Sequence, residues 1–249
     1  MKITKMIALL LVFVLVLAGC GKGISNELLM FPDAPEQSDI NALPDKYNVK
    51  DLVTSYWSQG FRFGDKSTAI TYYISIPQIY PYSQDAVACQ QEIYDAFKTE
   101  LYDDLTLFKT QYKENIKQKK VPKYAFTEQA KDRTYTYTAG IYENILSVVL
   151  RFEIPDTRNS NYYVYYLDLT TGKQLTTQQI QEKFDEEITR LINNQEASFQ
   201  KVYAKNPNEP ARHVKDGRVF FTENGKITYI LRIYTEGSPE IVEHLVRSI

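Results

Sequence analysis

The sequence predicts an α+β fold in which two long helices pack on an antiparallel sheet. Short segments with alternating apolar and polar residues recur along the chain, and two long segments with helical periodicity separate them into groups. Tyrosine and β-branched residues dominate the strand-like segments, as is typical of strands. The predicted strands lie at residues 70–76, 134–139, 146–154, 162–169, 218–222 and 227–234.

Two of the predicted strands place apolar side chains at every second position. Because successive strand residues point to opposite faces, each set is expected on a single face of the sheet. The sets are Ile70, Tyr72, Ile74 and Ile76 on one strand, and Leu146, Val148, Leu150, Phe152 and Ile154 on another.

The first predicted helix begins at about Ser83, an N-cap residue just after Pro81, and ends at the lysines before Pro122. Its apolar stripe consists of Cys89, Ile93, Phe97, Leu101, Leu105, Phe108, Tyr112 and Ile116. A nucleophilic or redox cysteine needs an exposed, activated thiolate. The position of Cys89 in this stripe predicts a small buried residue instead.

The second predicted helix opens with Thr176 and Gln179, which fit a capping box, and must stop before Pro207. Its apolar positions are Ile180, Phe184, Ile188, Leu191, Phe199 and Tyr203. We expect both helices to pack on one face of the sheet.

The N-terminus has the pattern of a bacterial lipoprotein signal. Lys2 and Lys5 precede an uncharged apolar run over residues 6–17, which ends in the tetrad Leu-Ala-Gly-Cys at Cys20. The run has twelve residues, whereas a membrane-spanning helix needs about 20. We therefore expect residues 1–19 to be removed and Cys20 to carry lipid, which anchors an extracytoplasmic protein to a bacterial membrane.

The rest of the chain is predicted to be a tether over residues 20–50, followed by a single domain over residues 51–249. The tether segment contains three prolines and no sustained periodicity. Loss of two lysines with the signal changes the net charge from −2 to −4. A mildly acidic chain with mixed signs gives no electrostatic support for a nucleic-acid partner.

The motif search predicts no catalytic, metal or cofactor site. His213 and His244 lack metal-ligand spacing, and Gly172-Lys173 lacks the upstream glycine of a phosphate loop. Paired carboxylates at Asp103-Asp104 and in the run 185–187 could suggest a glycosidase. Both groups fall inside predicted helices, where solvated polar faces are the usual explanation.

Tyrosine is the unusual residue of this chain, with twenty copies. Tyr162, Tyr163, Tyr165 and Tyr166 lie almost side by side on one predicted strand, so Tyr162 and Tyr166 share one face while Tyr163 and Tyr165 share the other. Exposed tyrosines suit stacking on sugars or anchoring a protein partner. The alternative is that they simply fill an aromatic-rich sheet.

Several of these segments, in this order, resemble one family. A strand that ends Ile-Pro-Gln-Ile at residues 76–79, the long helix, Asn-Ile-Leu-Ser-Val-Val-Leu at 144–150, and Tyr-Leu-Asp-Leu-Thr-Thr-Gly-Lys at 166–173 are similar to the RsiV-like extracytoplasmic domain. That domain occurs in lysozyme-sensing anti-sigma factors and in the N-terminal region of some peptidoglycan deacetylases. Gln90 stands where the family usually has asparagine, and residues 158–161 replace a Gly-Gly-x-His stretch.

The resemblance implies a ligand class: a lysozyme-type protein or peptidoglycan. Together with the missing catalytic motifs, it predicts a non-catalytic envelope lipoprotein that binds such a ligand, with the four neighbouring tyrosines as the candidate contact residues. The alternative is an enzyme that acts on cell-wall polymers.

Overall fold

A computed structural model describes most of the chain beyond its first thirty residues. The described residues are 31–36, 39–65, 68–117, 132–153, 160–206, 208–238 and 241–247. The predicted export signal and Cys20 lie outside them. Within these ranges, no helix is both long enough and apolar enough to cross a membrane.

Helices separate the strands into groups along the described chain. The helices are α1 (Val49–Leu52), α2 (Gln84–Lys117), α3 (Thr177–Lys183) and α4 (Asp185–Lys205). The strands are β1 (Val53–Asp65), β2 (Thr68–Ile79), β3 (Arg133–Tyr142), β4 (Ile145–Glu153), β5 (Ser160–Asp168), β6 (Gln174–Leu175), β7 (Arg212–Phe221), β8 (Ile227–Thr235) and β9 (Ile241–Arg247).

The strands form two sheets, whereas the sequence predicted one. The large sheet has six strands in the order β1-β2-β3-β4-β5-β6, and the small sheet has three in the order β7-β8-β9. Every pairing is antiparallel except that of β2 with β3, where Tyr72 to Ile74 pair with Arg133 to Tyr135 in parallel. The prediction of a purely antiparallel sheet is wrong here because α2 lies in the connection between β2 and β3, and a crossover of this kind permits parallel strands.

Helix α2 covers one face of the large sheet, as the alternating pattern predicted. The apolar residues of the first predicted strand, from Ile70 to Ile76, are all buried, as are those of β4 from Leu146 to Phe152; Ile154 lies outside the described residues. The stripe of α2 is buried from Cys89 to Phe108. The side chains of Tyr112 and Ile116 lie outside the described part.

The opposite face of the large sheet packs against the small sheet, which corrects the prediction that both helices share one face. This second core combines large-sheet, small-sheet and helical residues: Ile145, Tyr166, Ile180, Phe184, Ile188, Val219, Phe221 and Tyr229. The two sheets approach so closely that a Cβ on Gly140 would lie 2.2 Å from the carbonyl oxygen of Phe221. The buried hydroxyl of Ser147 accepts a hydrogen bond from the Phe221 amide at 2.8 Å.

Both predicted helix starts are confirmed. Ser83 Oγ accepts from the amide of Ala86 at 3.0 Å, which caps α2. At α3, Thr176 Oγ1 accepts from the Gln179 amide at 3.2 Å, and Gln179 Oε1 accepts from the Thr176 amide at 2.8 Å. This is the predicted capping box.

The second predicted helix is broken. Helix α3 ends at Lys183 and α4 begins at Asp185, with Phe184 between them at φ −115° and ψ 23°. Phe184 is buried beside Phe221, with the ring centroids 5.8 Å apart. The break places the Phe184 ring in the second core. Helical periodicity could not predict this break, because it depends on packing against residues distant in sequence. Beyond Ile188 no residue of α4 is buried.

The segment before the domain is packed on it, so the predicted tether cannot extend to residue 50. The ring of Phe31 contacts Trp57 and Tyr94 at centroid distances of 6.2 Å and 5.4 Å. The Tyr94 hydroxyl donates to the carbonyl of Pro32 at 2.8 Å, and the amide of residue 41 donates to the carbonyl of residue 81 at 2.9 Å. The described residues between 31 and 50 therefore belong to the folded part of the chain.

Candidate functional site

The four tyrosines of β5 face two different neighbours. Tyr162 and Tyr166 point toward the small sheet and are only 6% and 1% exposed. Tyr163, which is 39% exposed, and the half-buried Tyr165 lie on the α2 side. The alternation predicted from the sequence is confirmed, and it divides the four candidate residues into a buried pair and a more accessible pair.

The buried pair joins the two sheets. The Tyr166 hydroxyl donates to the carbonyl oxygen of Val219 on β7. Burial raises the pKa of this hydroxyl above its usual range, so it remains a neutral donor. We therefore regard Tyr162 and Tyr166 as structural residues, because a ligand could reach them only if the sheets separated.

The backbone of Tyr162 is capped by an ion pair from the small sheet. Its amide donates to Glu243 Oε2 at 2.8 Å, and its carbonyl accepts from Arg218 Nη1 at 2.9 Å. Arg218 and Glu243 also bond to each other. Their side chains thus occupy the place of a neighbouring strand, and they block pairing of this edge with another chain.

Tyr163 is the most accessible of the four tyrosines, and α2 holds it in place. Its hydroxyl donates to Glu100 Oε1 at 2.6 Å, and its ring meets Phe152 edge-on with the centroids 5.6 Å apart. Partial burial, followed by the bond to Glu100, raises the pKa of Tyr163 above its usual range. The ring is fixed at both ends while part of its surface stays open to solvent.

Further polar side chains line the contact between α2 and this edge of the sheet. Asn161 Nδ2 lies 3.5 Å from the second oxygen of Glu100. Gln174 on β6 donates its side-chain amide to Glu92 Oε2 at 3.0 Å and its backbone amide to Asp85 at 2.9 Å. We call the set consisting of Glu92, Glu100, Asn161, Tyr163, Tyr165 and Gln174 the tyrosine seam.

The side chains of the tyrosine seam can bind a ligand both by aromatic stacking and by hydrogen bonds. An aromatic ring with an exposed part can stack on an apolar face, while carboxylate oxygens and amide groups can accept and donate hydrogen bonds. Glu92 and Glu100 are eight positions apart on one helix, which is about 12 Å along its axis.

The paired carboxylates considered for catalysis lie elsewhere. Asp103 is exposed, whereas Asp104 points inward and its Oδ2 accepts from Arg133 Nε at 2.9 Å. The three acidic residues at 185–187 occupy the first turn of α4, where negative charge stabilises the helix. None of these groups belongs to the tyrosine seam.

The histidines and Cys89 do not extend the site. His213 stacks on Tyr234 with the ring centroids 5.2 Å apart, and its Nε2 lies 3.2 Å from Glu236. Across the described ranges, no group of three or more His, Cys, Asp or Glu residues could hold a metal ion. Cys89 is fully buried, which confirms its predicted place in the core.

The glycine of the Gly172-Lys173 pair belongs to a turn. Gly172 adopts φ 72°, a conformation that favours glycine, and its amide donates to the carbonyl of Asp168 at 2.8 Å. The Asp168 side chain accepts from the amides of Thr170 and Thr171 at 2.7 Å and 3.0 Å. The turn interpretation is confirmed.

The sequence did not predict the hydrogen-bond partners of Tyr163 and Asp104. Glu100 is 63 positions from Tyr163, and nothing local links them. The sequence does indicate a special role for Asp104, because this residue falls within the apolar stripe between Leu101 and Phe108. A carboxylate at such a position predicts a buried partner.

No protein-family model matches the chain, and no curated protein is significantly similar to it.

Proposed function

We propose that this chain is a lipoprotein of the bacterial cell envelope whose domain binds a lysozyme-type muramidase or a peptidoglycan strand and does not turn it over. Among the described residues, the tyrosine seam carries the proposal. It combines a half-exposed ring, two carboxylates and two side-chain amides on one edge of the domain. The lipoprotein signal at Cys20 would hold the domain where such ligands occur.

The seam suits a glycan or the rim of a protein interface. Pyranose rings have apolar faces that stack on tyrosine, and their hydroxyls match carboxylates and amides. In a protein complex, the same ring would act as an anchor, since binding energy concentrates in a few aromatic residues. Because Tyr163 is already fixed by Glu100 and Phe152, little side-chain entropy is lost on binding.

Gln90 replaces the asparagine that is usual in the RsiV-like family, and it also carries a side-chain amide. Its Oε1 accepts from the amide of Ile79 at 2.7 Å, and its Nε2 donates to the carbonyl of Pro77 at 3.1 Å. The amide group thus holds the end of β2 against the start of α2. A side-chain amide at this position is required for both bonds.

The decisive measurement is calorimetric binding of lysozyme and of purified muropeptides to the full chain in detergent micelles. Tyr163→Ala should weaken binding about tenfold or more, as expected for an aromatic anchor. Tyr203→Ala is the matched control, because Tyr203 on α4 has the same exposed fraction, 39%, and lies outside the seam. Circular dichroism would verify that both variants are folded.

Two results would contradict the proposal. Unchanged binding by Tyr163→Ala would remove the seam from the contact surface. Absence of binding, together with release of sugar or acetate from purified wall material, would support the alternative of a wall-acting enzyme.

A further inference from the structure

A concave surface lies between the first half of α2, the end of β2 and the docked N-terminal segment, and it shares Glu92 with the tyrosine seam. Its volume is about 410 Å³, which is within the range of about 300–1,000 Å³ typical of small-ligand sites. The docked N-terminal segment lines it with Pro35 and Glu36, and the end of β2 lines it with Gln78 and Ile79. We call it the α2 groove.

The α2 groove is negatively charged. Glu36, Glu92 and Asp95 line it, and within the described ranges no lysine, arginine or histidine does. Among the described residues, no basic group lies within ion-pair distance of any of the three. Three uncompensated carboxylates around one concavity attract a cation, because a low-dielectric wall focuses their field.

Side-chain amides alternate with these carboxylates. Gln78, Gln84 and Gln91 line the groove, and each offers both a donor and an acceptor. Gln91 already donates to Asp95 Oδ1 at 3.1 Å, which orients that carboxylate without neutralising it. Groups that both donate and accept match sugar hydroxyls, whereas a simple ammonium ion would need acceptors only.

The groove is preformed. Gln90, only 8% exposed, lines it and is fixed by its two backbone bonds to β2. The N-terminal segment that supplies Pro35 and Glu36 is attached to α2 by the bond from the Tyr94 hydroxyl to the carbonyl of Pro32. Ile79, Pro81 and Val87 supply apolar surface between the polar groups. A fixed site with an apolar lining and a few polar groups is typical of small-ligand recognition.

On the basis of the envelope-ligand binding proposed above, we propose that the α2 groove is a second subsite, adjoining the tyrosine seam and sharing Glu92 with it, for a sugar that carries a protonated amine. Glu92 and Asp95 receive the ammonium group, and the glutamine amides receive the hydroxyls. The groove thereby distinguishes free amino sugars from their neutral N-acetylated forms.

Calorimetry on the full chain in detergent micelles tests this with two probes that differ at the nitrogen, which is a protonated amine in one and a neutral acetamide in the other. One is a glucosamine oligomer, and the other is an N-acetylglucosamine oligomer of the same length. We expect the charged oligomer to bind about tenfold more tightly or better, the typical worth of one charge-assisted hydrogen bond. Its affinity should fall as salt is added. Equal affinity for the two oligomers, or no binding of the charged one, would overturn the proposal.

The double variant Glu92→Gln and Asp95→Asn removes two charges and keeps the shape of both side chains. It should lose most of the preference for the charged oligomer. Asp103→Asn is the matched control, since Asp103 is exposed on the same helix and does not line the groove. If the control loses the preference equally, or the double variant keeps it, the groove is not the site.

An oligolysine peptide separates the two kinds of cationic ligand. If oligolysine bound as tightly as the charged sugar and with the same dependence on Glu92 and Asp95, that result would overturn the proposal and indicate that the ligand is a basic peptide. Failure of this subsite is distinguishable from failure of the proposed function. In the first case, lysozyme or muropeptide still binds and Tyr163→Ala still weakens it; in the second, that binding is absent.

Discussion

The Tyr72 hydroxyl on β2 donates a hydrogen bond of 2.8 Å to Oδ2 of Asp104 on α2. The same oxygen accepts from Arg133 Nε at 2.9 Å and from the Tyr135 hydroxyl at 3.3 Å. The Arg133 and Asp104 side chains are only 8% and 16% exposed. The carboxylate of Asp104 therefore connects α2 to β2 and β3, the two parallel strands that α2 links in the chain.

Asp104→Asn should lower the free energy of unfolding by about 3 kcal/mol or more, because it removes the carboxylate charge that pairs with the buried guanidinium of Arg133. Denaturant unfolding followed by circular dichroism measures the change. The neighbouring Asp103→Asn is the control and should stay within about 0.5 kcal/mol of the wild type, since Asp103 is exposed. Equal stability of the two variants would show that the network contributes little.

Stability should decline in alkali above about pH 10, the usual pKa of tyrosine. Burial, followed by the charge of Asp104, raises the pKa of Tyr72 and Tyr135 above the usual range. Below the unfolded pKa both states are neutral and no stability is lost. Above it, the unfolded chain releases protons that the folded chain retains, so the free energy of unfolding falls with pH.

The loss of stability in alkali can be assigned to Tyr72 by comparing Tyr72→Phe with Tyr73→Phe in unfolding experiments across this pH range. Tyr72→Phe removes one buried hydroxyl and should make the decline shallower. Tyr73 is 52% exposed, so Tyr73→Phe removes no buried hydroxyl and serves as the control. If every tyrosine in the folded wild type titrated reversibly near its usual pKa, this explanation would be wrong.

Gly140→Ala should destabilise the protein by about 1–3 kcal/mol, the usual cost of overpacking. The added Cβ would lie 2.2 Å and 2.3 Å from the carbonyl oxygens of Phe221 and Thr222, so the two sheets must separate. Gly60→Ala is a suitable control, because the nearest neighbours of its Cβ would be the Tyr73 ring at 3.4 Å and the Tyr72 carbonyl oxygen at 3.7 Å, both ordinary contact distances. Thermal unfolding compares the two, and equal melting temperatures would contradict the close packing of the sheets.

Cys89 should resist alkylation in the folded protein. It is fully buried, and burial raises the pKa of its thiol, so almost no thiolate is available for reaction. Cys89→Ala should cost about 1 kcal/mol or slightly more through lost packing. Labelling by iodoacetamide at neutral pH, with and without denaturant, provides the measurement, and rapid labelling of the native protein would contradict burial.

Cys20→Ala should abolish acylation and normal removal of the signal, because the modified sulfur is the proposed durable contact with the membrane. The wild type should partition into detergent in a phase-separation experiment, and metabolic labelling with a fatty acid should mark it but not the variant. A variant that is cut after Gly19 and still remains with the membrane would refute the proposed anchor.

The sequence by itself determined the local elements. The alternation of apolar residues predicted which faces of β2 and β4 are buried, and the apolar stripe with a spacing of about four residues predicted the buried face of α2. Thr176 and Gln179 predicted the start of α3. These features depend on neighbours along the chain, where strand and helix geometry alone relates side chains to faces. For the same reason, the division of the β5 tyrosines into two pairs was predictable.

Tertiary structure alone decided how those elements meet. The small sheet covers one face of the large one, Phe184 breaks the second helix to fill the core between them, and the segment from Phe31 docks on the domain. Glu100 reaches Tyr163 from 63 positions away. Such contacts depend on the shape of surfaces distant in sequence, and periodicity carries no information about which surfaces those are. The seam and the groove are therefore visible only in the folded chain.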